Sequence, residues 1–270
     1  MKILKNNNDL NEALKKESNL GFVPTMGSLH KGHISLIKLS KKNCKKTIVS
    51  IFINPTQFNN RIDYINYPNN LKKDLSLLRK FRVNYIYLPK KIHIYNFKRK
   101  RKIRLLKKDK ILCAKFRRNH FEGVLDVMDR LTNQIKPRKI FMGEKDFQQL
   151  YLVKNYIQNK YNTKIISCKT IRNKNNVALS SRNLLLKKKQ INIAALIIND
   201  LFDIKKTLKK QKKIKFFLKI KKRMIEKKYN IKIEYLELRN KYNLKFSKKI
   251  TNSRLFIAYY LKKVRLIDNI

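Results

Sequence analysis

The chain has 270 residues, 43% of them hydrophobic, with 14 Phe and 13 Tyr. That is enough apolar material for one large domain or two smaller ones, and it excludes a disordered chain. Lys and Arg number 68 against 17 Asp and Glu, a formal net charge of +51. Such a charge attracts polyanions without specificity and costs the folded state self-repulsion.

The basic excess runs along the whole chain and comes with abundant Ile, Asn and Tyr. These residues share A/T-rich codons, so the composition reads as a coding bias, and no specific nucleic-acid partner is expected. A nucleic-acid-binding protein is the rival reading, but no RRM, KH, zinc-finger or helix-turn-helix signature supports it. Cys44, Cys113 and Cys168 have no metal-ligand or C-x-x-C spacing, and their odd number fits unpaired thiols in a reducing cytoplasm. The N-terminal MKILKNNNDL lacks the apolar run of a signal peptide, and no segment approaches the ~18 apolar residues of a membrane span.

In chain order, residues 9–19 predict a short helix capped by Asp9 or Asn8. LGFVP is a buried strand candidate, and LHKGHISLIKLSKKN a helix beginning near His30. TIVSIFIN is a β-branched strand run, followed by a helix in LKKDLSLLRKF and a strand in VNYIYLP. Residues 98–110, KRKRKIRLLKKDK, carry nine basic residues and read as a solvated loop or insertion. A helix over 121–136 ends at Pro137. A strand in KIFMG, a helix in DFQQLYLVKNYIQNK with Asp146 near its start and a strand in TKIISCKT complete the series. This alternation predicts an α/β fold, a Rossmann-like doubly wound parallel sheet. After LSSRN the chain becomes Lys-rich and helical over 187–229, then β-like in IKIEYLEL and RLFIAYYLKK, with no glycine beyond Gly143. The expected domains are therefore 1–183, carrying the site, and 184–270, a small α+β domain.

The segment VPTMGSLHKGH stands apart. A strand ends at Val23, Pro24 stiffens the exit, Gly27 permits an unusual backbone angle and Gly32 permits close approach. Free N–H groups at the following helix start favour a phosphate. His30 and His33 lie on one face of the first turn, where two imidazoles can stabilise growing negative charge on a phosphoryl group. Downstream, SIFINPTQF delivers Asn54 and Gln57 past the carboxyl end of a strand, where ligands bind in open α/β sheets. In GEKDFQQL, Lys145 can neutralise phosphates and Asp146 can accept from ribose hydroxyls. Ser180, Ser181 and Arg182 add two hydroxyls and a forked cation.

H-x-G-H in a strand-to-helix turn is similar to the signature of nucleotidylyltransferases and class I aminoacyl-tRNA synthetases. PTMGSLHKGH, together with SIFINPTQF, GEKDFQQL, the SSRN loop and the C-terminal VRLIDN, resembles the pantoate–β-alanine ligase family over nearly the whole chain. A different H-x-G-H nucleotidyltransferase fits GEKDFQQL and NPTQF poorly.

The resemblance implies ATP-dependent condensation of pantoate with β-alanine through pantoyl adenylate, with Mg2+ held mainly by the phosphates. It implies catalytic roles for His33, His30 and Lys145. The ATP site would comprise Met26, Gly27, Ser28, Leu29, His30, Lys31, Gly32, His33, Gly143, Glu144, Lys145, Asp146, Ile171, Leu179, Ser180, Ser181 and Arg182. Pantoate would meet Gln57 and Gln149, with Asn54 in that pocket, and β-alanine would meet Gln57. Asp74 would stand near Mg2+. A homodimer and a cytoplasmic location are implied as well.

The chain departs from the family at several points. Cys113 stands where Glu is frequent, and Arg118-Asn119 replace Pro-Gly. IRNKNNVALSSRN lacks an Asp-Gly turn, the region 90–112 is unusually basic, and a glycine often found before Arg265 is missing.

Overall fold

The computed structural model describes residues 1–98 and 102–270; Arg99, Lys100 and Arg101 of the basic segment lie outside the described residues. The chain forms two compact units, one of residues 1–107 and 117–171, the other of residues 108–116 and 172–270. The units divide at Ile171/Arg172 rather than after Asn183, and a short earlier segment joins the second unit.

In the first unit β1 (Lys2–Leu4), α1 (Asn7–Leu14), β2 (Leu20–Thr25), α2 (Lys31–Asn43) and β3 (Lys46–Ile51) follow in order. After them come α3 (Arg61–Ile65), α4 (Leu71–Lys80), β4 (Tyr85–Tyr87) and α5 (Lys91–Ile94). In the second unit lies α6 (Cys113–Phe116); the first resumes with α7 (His120–Ile135), β5 (Lys139–Gly143), α8 (Phe147–Gln158) and β6 (Lys164–Cys168). The six strands form one parallel sheet in the order β1-β4-β3-β2-β5-β6. The doubly wound expectation therefore holds. Two details differ. The first helix starts at Asn7, because Asn6 rather than Asn8 or Asp9 caps it, accepting from the Asp9 amide. The edge strand β1 was not legible, since three residues show no alternation.

Sheet and helices meet through a core that includes Val23, Ile37, Val49, Leu78, Ile86 and Phe141, all fully buried. Gly21 sets the contact of β2 with α2, since a Cβ there would collide with the Ser40 hydroxyl. Ser40 itself shares a hydrogen bond of 2.8 Å with Thr47 on β3.

The second unit holds α9 (Lys188–Leu208), α10 (Ile214–Tyr229) and an antiparallel sheet of β7 (Lys232–Asn240), β8 (Ser253–Leu261) and β9 (Val264–Asn269). Its core includes Ile197, Leu201, Leu238, Leu255 and Ile257. The helical stretch 187–229 is thus two helices, and VRLIDN is a strand of the sheet.

Ten described non-glycine residues have a left-handed backbone, against Gly27 alone among the glycines. Three fall where glycines were missed. Asn119 (φ 62°) starts α7, Asn176 (φ 63°) turns the chain before the SSRN loop, and Lys262 (φ 53°) joins β8 to β9. Asn tolerates this region through local hydrogen bonds, but a lysine there costs roughly 1–2 kcal/mol. Lys262→Gly is expected to stabilise the fold by up to about 1.5 kcal/mol, the relieved strain less roughly 0.5–1 kcal/mol of glycine chain entropy. Urea unfolding checks this, and a lower midpoint than wild type would contradict it.

Candidate active site

The sheet reverses its winding direction at β2, which has β3 on one side and β5 on the other. Gly21 and Phe22 pair with Lys139 and Ile140, and Leu20–Thr25 pair with Lys46–Ile51. The segments leaving these three neighbouring strands at their carboxyl ends carry residues 26–33, 54–57 and 143–149. A crevice at such a switch point is where open α/β sheets bind ligands.

The turn after β2 is wired internally. Gly27 has φ 80° and Ser28 φ 53°. The Gly27 N–H donates to Thr25 Oγ1 at 3.2 Å, and that hydroxyl donates to the Ser50 carbonyl at 2.7 Å. Ser28 and Leu29 N–H donate to Oδ2 and Oδ1 of Asp74 at 2.8 and 2.7 Å. His30 caps α2: its Nδ1 accepts the Gly32 N–H at 3.1 Å, while His33 Nδ1 accepts the His30 N–H at 3.3 Å. The expectation of free N–H groups aimed at a phosphate therefore fails for Gly27, Ser28, Leu29, His30 and Gly32. The same bonds settle the histidine chemistry. An Nδ1 that accepts is unprotonated, so each neutral ring carries its proton on Nε2 and keeps that N–H as a donor.

Burial and the nearby Lys145 charge push the His30 pKa down to about 4. Burial, and then the His30 ring, push His33 down to about 3. The ring centroids are 4.2 Å apart. The pair is thus neutral at pH 7, suited to hydrogen-bond a phosphoryl oxygen without repelling Lys145.

β5 ends at Gly143, followed by a single 3-10 turn over Glu144–Asp146 and then α8. A Cβ at Gly143 would meet nothing within 4 Å, and the residue has an ordinary φ of −79°. Neither packing nor backbone geometry requires glycine at this position. The Lys145 ammonium lies 3.4 Å from Asp146 Oδ1. Gln149 is half-buried on the first turn of α8. Met26 is half-buried and Lys31 exposed at the mouth of α2.

After β3, Asn54 is 1% exposed and fully employed. Its oxygen accepts from Tyr95 Oη at 2.7 Å and Thr56 Oγ1 at 3.0 Å, and its amide donates to Gln57 Oε1 at 3.3 Å and the Gly123 carbonyl at 3.2 Å. Asn54 therefore orients Gln57 rather than offering free polar atoms of its own. The Gln57 carbonyl accepts from His120 Nδ1 at 2.6 Å and from Arg117 at 3.4 Å. Gly123 lets α7 press on this turn, since a Cβ would collide with the Thr56 carbonyl. Sequence reasoning missed Tyr95, Thr25 and Gly123; only Gly123 left a signal, as a lone glycine inside a helical pattern.

Asp74, expected beside Mg2+, is 2% exposed on the first turn of α4, and what it holds is the backbone of the H-x-G-H turn. Among the described residues no cluster of three His, Cys, Asp or Glu side chains could hold a metal ion.

Ile171 closes the first unit, half-buried. Leu179, Ser180, Ser181 and Arg182 belong to the second. There Ser180 caps a 3-10 turn over Ser181–Leu185, accepting from the Arg182 N–H at 3.3 Å. The missing Asp-Gly turn is replaced by Asn173, whose Oδ1 accepts the Asn175 and Val177 N–H groups, and by left-handed Asn176. Arg172 ties this hairpin to β9 through a two-pronged pair with Asp268 at 2.7 and 2.8 Å. Cys113 shares a 3.0 Å contact with Tyr235 Oη, and the Arg265 charge is met by Glu234 at 2.6 Å.

A parallel α/β sheet with an H-x-G-H turn at its switch point, two neutral imidazoles and a lysine defines a nucleotide-handling enzyme of the adenylating class. Residues 2–270 match the sequence model of the family described as pantoate-beta-alanine ligase. The chain is 38% identical over 268 residues to a pantothenate synthetase of Francisella tularensis subsp. novicida, covering 98% of this chain and 94% of that one. A crystal structure of pantothenate synthetase from Thermus thermophilus superposes with a TM-score of 0.92 at 26% identity, covering 100% and 99% of the chains. A Francisella tularensis pantoate-beta-alanine ligase, solved with beta-gamma ATP and beta-alanine, gives 0.84 at 37% identity, covering 100% and 97%. The chain belongs to the pantoate–β-alanine ligase family.

The histidine environment has a measurable consequence. His33 titrates at about 3 when folded against 6.5 normally, so below about 6.5 the unfolded chain takes up a proton first. The stability contributed by the neutral ring is fully present above about 6.5 and drains away as pH falls toward about 3. Urea midpoints between pH 7 and 4 should fall with a shallower slope in His33→Gln than in wild type.

Proposed function

We propose that this member of the family joins pantoate to β-alanine at the expense of ATP in two half-reactions. In the first, a carboxylate oxygen of pantoate attacks the α-phosphorus of ATP, the bond to the bridging oxygen breaks, and pyrophosphate leaves. In the second, the β-alanine amine attacks the activated carbonyl, AMP leaves with the electron pair, and one amine proton is lost to solvent. The observation that carries this reading is the family match over residues 2–270, joined to a neutral histidine pair beside Lys145.

The chemistry asks for positioning and charge neutralisation more than for covalent help. The two Nε2–H groups and the Lys145 ammonium would receive the charge that grows on the departing pyrophosphate. Gly143 leaves room for the nucleoside, and Asp146 accepts from ribose. Gln57, held from behind by Asn54, His120 and Arg117, and Gln149 would hold pantoate, with Gln57 also serving β-alanine. By the family resemblance Ser180, Ser181 and Arg182 would meet the triphosphate, with Leu179 and Ile171 toward the adenosine. Mg2+ would be held by phosphate oxygens and would neutralise their charge. A homodimer is part of the same reading. A cytoplasmic location is too, supported by three unpaired, buried cysteines.

Purified protein with ATP, Mg2+ and pantoate should release pyrophosphate, and adding β-alanine should give pantothenate. His33→Ala and Lys145→Ala should each slow pyrophosphate release by about 100-fold or more. Gln57→Ala should mainly raise the KM for pantoate. Wild-type protein that releases pyrophosphate with a different acid but not with pantoate would sink the substrate assignment.

A further inference from the structure

We propose that Asp74 is the built-in anion of the H-x-G-H turn, a positioning residue whose carboxylate fills the amide cradle after β2 and so fixes both histidines. Two successive left-handed residues, Gly27 at φ 80° and Ser28 at φ 53°, turn neighbouring N–H groups toward one point. Such a concavity binds anions, as phosphate loops do. Here the occupant is part of the chain. Ser28 and Leu29 N–H each reach a different Asp74 oxygen, at 2.8 and 2.7 Å, and the aspartate is 2% exposed.

The rest of the turn agrees. Asp74 sits on the first turn of α4, where the helix field favours a carboxylate, and Asn70 caps that helix by accepting from the Lys73 N–H at 3.0 Å. A Cβ at Gly27 would stand 3.0 Å from Asp74 Oδ2 and 3.2 Å from Ile51 Cγ2. The aspartate thus accounts for the glycine as well as for the bent backbone. The amides of Gly27, His30 and Gly32 are taken up by Thr25, His33 and His30. None of these five amides is thus directed at a ligand, and Asp74 acts on the reaction by aiming the side chains of the turn. Its effect on rate rests on the adenylation chemistry proposed above.

Two measurements test this. Amide hydrogen exchange on the wild-type protein, resolved at Ser28 and Leu29, should show both protected without nucleotide and no further protection with ATP or pyrophosphate. Fast exchange that slows only with ATP would show that the cradle belongs to phosphate and overturn the proposal. Asp74→Asn keeps the shape but sets an NH2 group against one backbone N–H. In the folded variant, checked by circular dichroism, kcat for pyrophosphate release should drop about 100-fold, the order a small misplacement costs, with the pantoate KM within about threefold. A folded variant with wild-type kcat, or with equal losses in kcat and pantoate KM, would overturn it. If the variant does not fold, the exchange measurement decides alone. Wild-type protein that makes no pyrophosphate with pantoate would sink the reaction scheme instead, while the exchange measurement, which needs no turnover, still judges Asp74.

Discussion

Strand β2 hydrogen-bonds to β3 on one side and β5 on the other, all three running the same way. The carboxyl ends of three sequence-distant strands are therefore neighbours, and the segments leaving them share one edge of the sheet. The H-x-G-H turn, the Asn54–Gln57 turn and the GEKD turn are separated by tens of residues in sequence, and only this pairing collects them. Gly21 lets α2 lie close on β2, because a Cβ there would collide with the Ser40 hydroxyl. Parallel strands need crossover helices, and α2 and α7 are both crossovers and bearers of the polar groups that brace the site.

A chain with a net charge of +51 has no shortage of cations for a triphosphate. Scarcer in such a chain are donors that remain neutral beside a lysine such as Lys145, which the proposed reaction would use. Burial and the reciprocal Nδ1 caps supply them, holding both rings neutral with one Nε2–H donor each. The acids are used sparingly in the same spirit. Asp74 faces backbone amides, Asp268 faces Arg172, and Glu234 faces Arg265, so buried negative charge is met by hydrogen-bond donors in each case.

The composition bias reaches the backbone as well. Family glycines are absent at three turns, and Asn119, Asn176 and Lys262 adopt the left-handed angle in their place. Asn is what an A/T-rich code supplies most readily among residues that tolerate that region, and it serves at the hairpin before the SSRN loop and at the start of α7. Lys262 has no such excuse in its chemistry and carries the strain at an exposed two-residue turn.

The strands LGFVP, TIVSIFIN and KIFMG and the amphipathic helix before Pro137 were legible because their periods and breakers are local properties. The histidine pair stood out because the chain has only 4 His, and Lys145 and Gln57 stood out through the motifs that carry them, GEKDFQQL and NPTQF. β1 was too short to show a period, and β9 read only as a family ending. Asn54 and Asp74 show the limit. Both are polar residues near a recognisable motif, and sequence placed them against ligands. In the fold one commits its amide to bracing Gln57, and the other commits its carboxylate to the backbone of residues 28 and 29. The sequence by itself determined which groups could do chemistry, since that depends on side-chain type and local spacing. Which of them remain available to a substrate was decided only by tertiary structure, because a hydrogen bond to a partner 45 or 69 residues away is invisible to any local pattern.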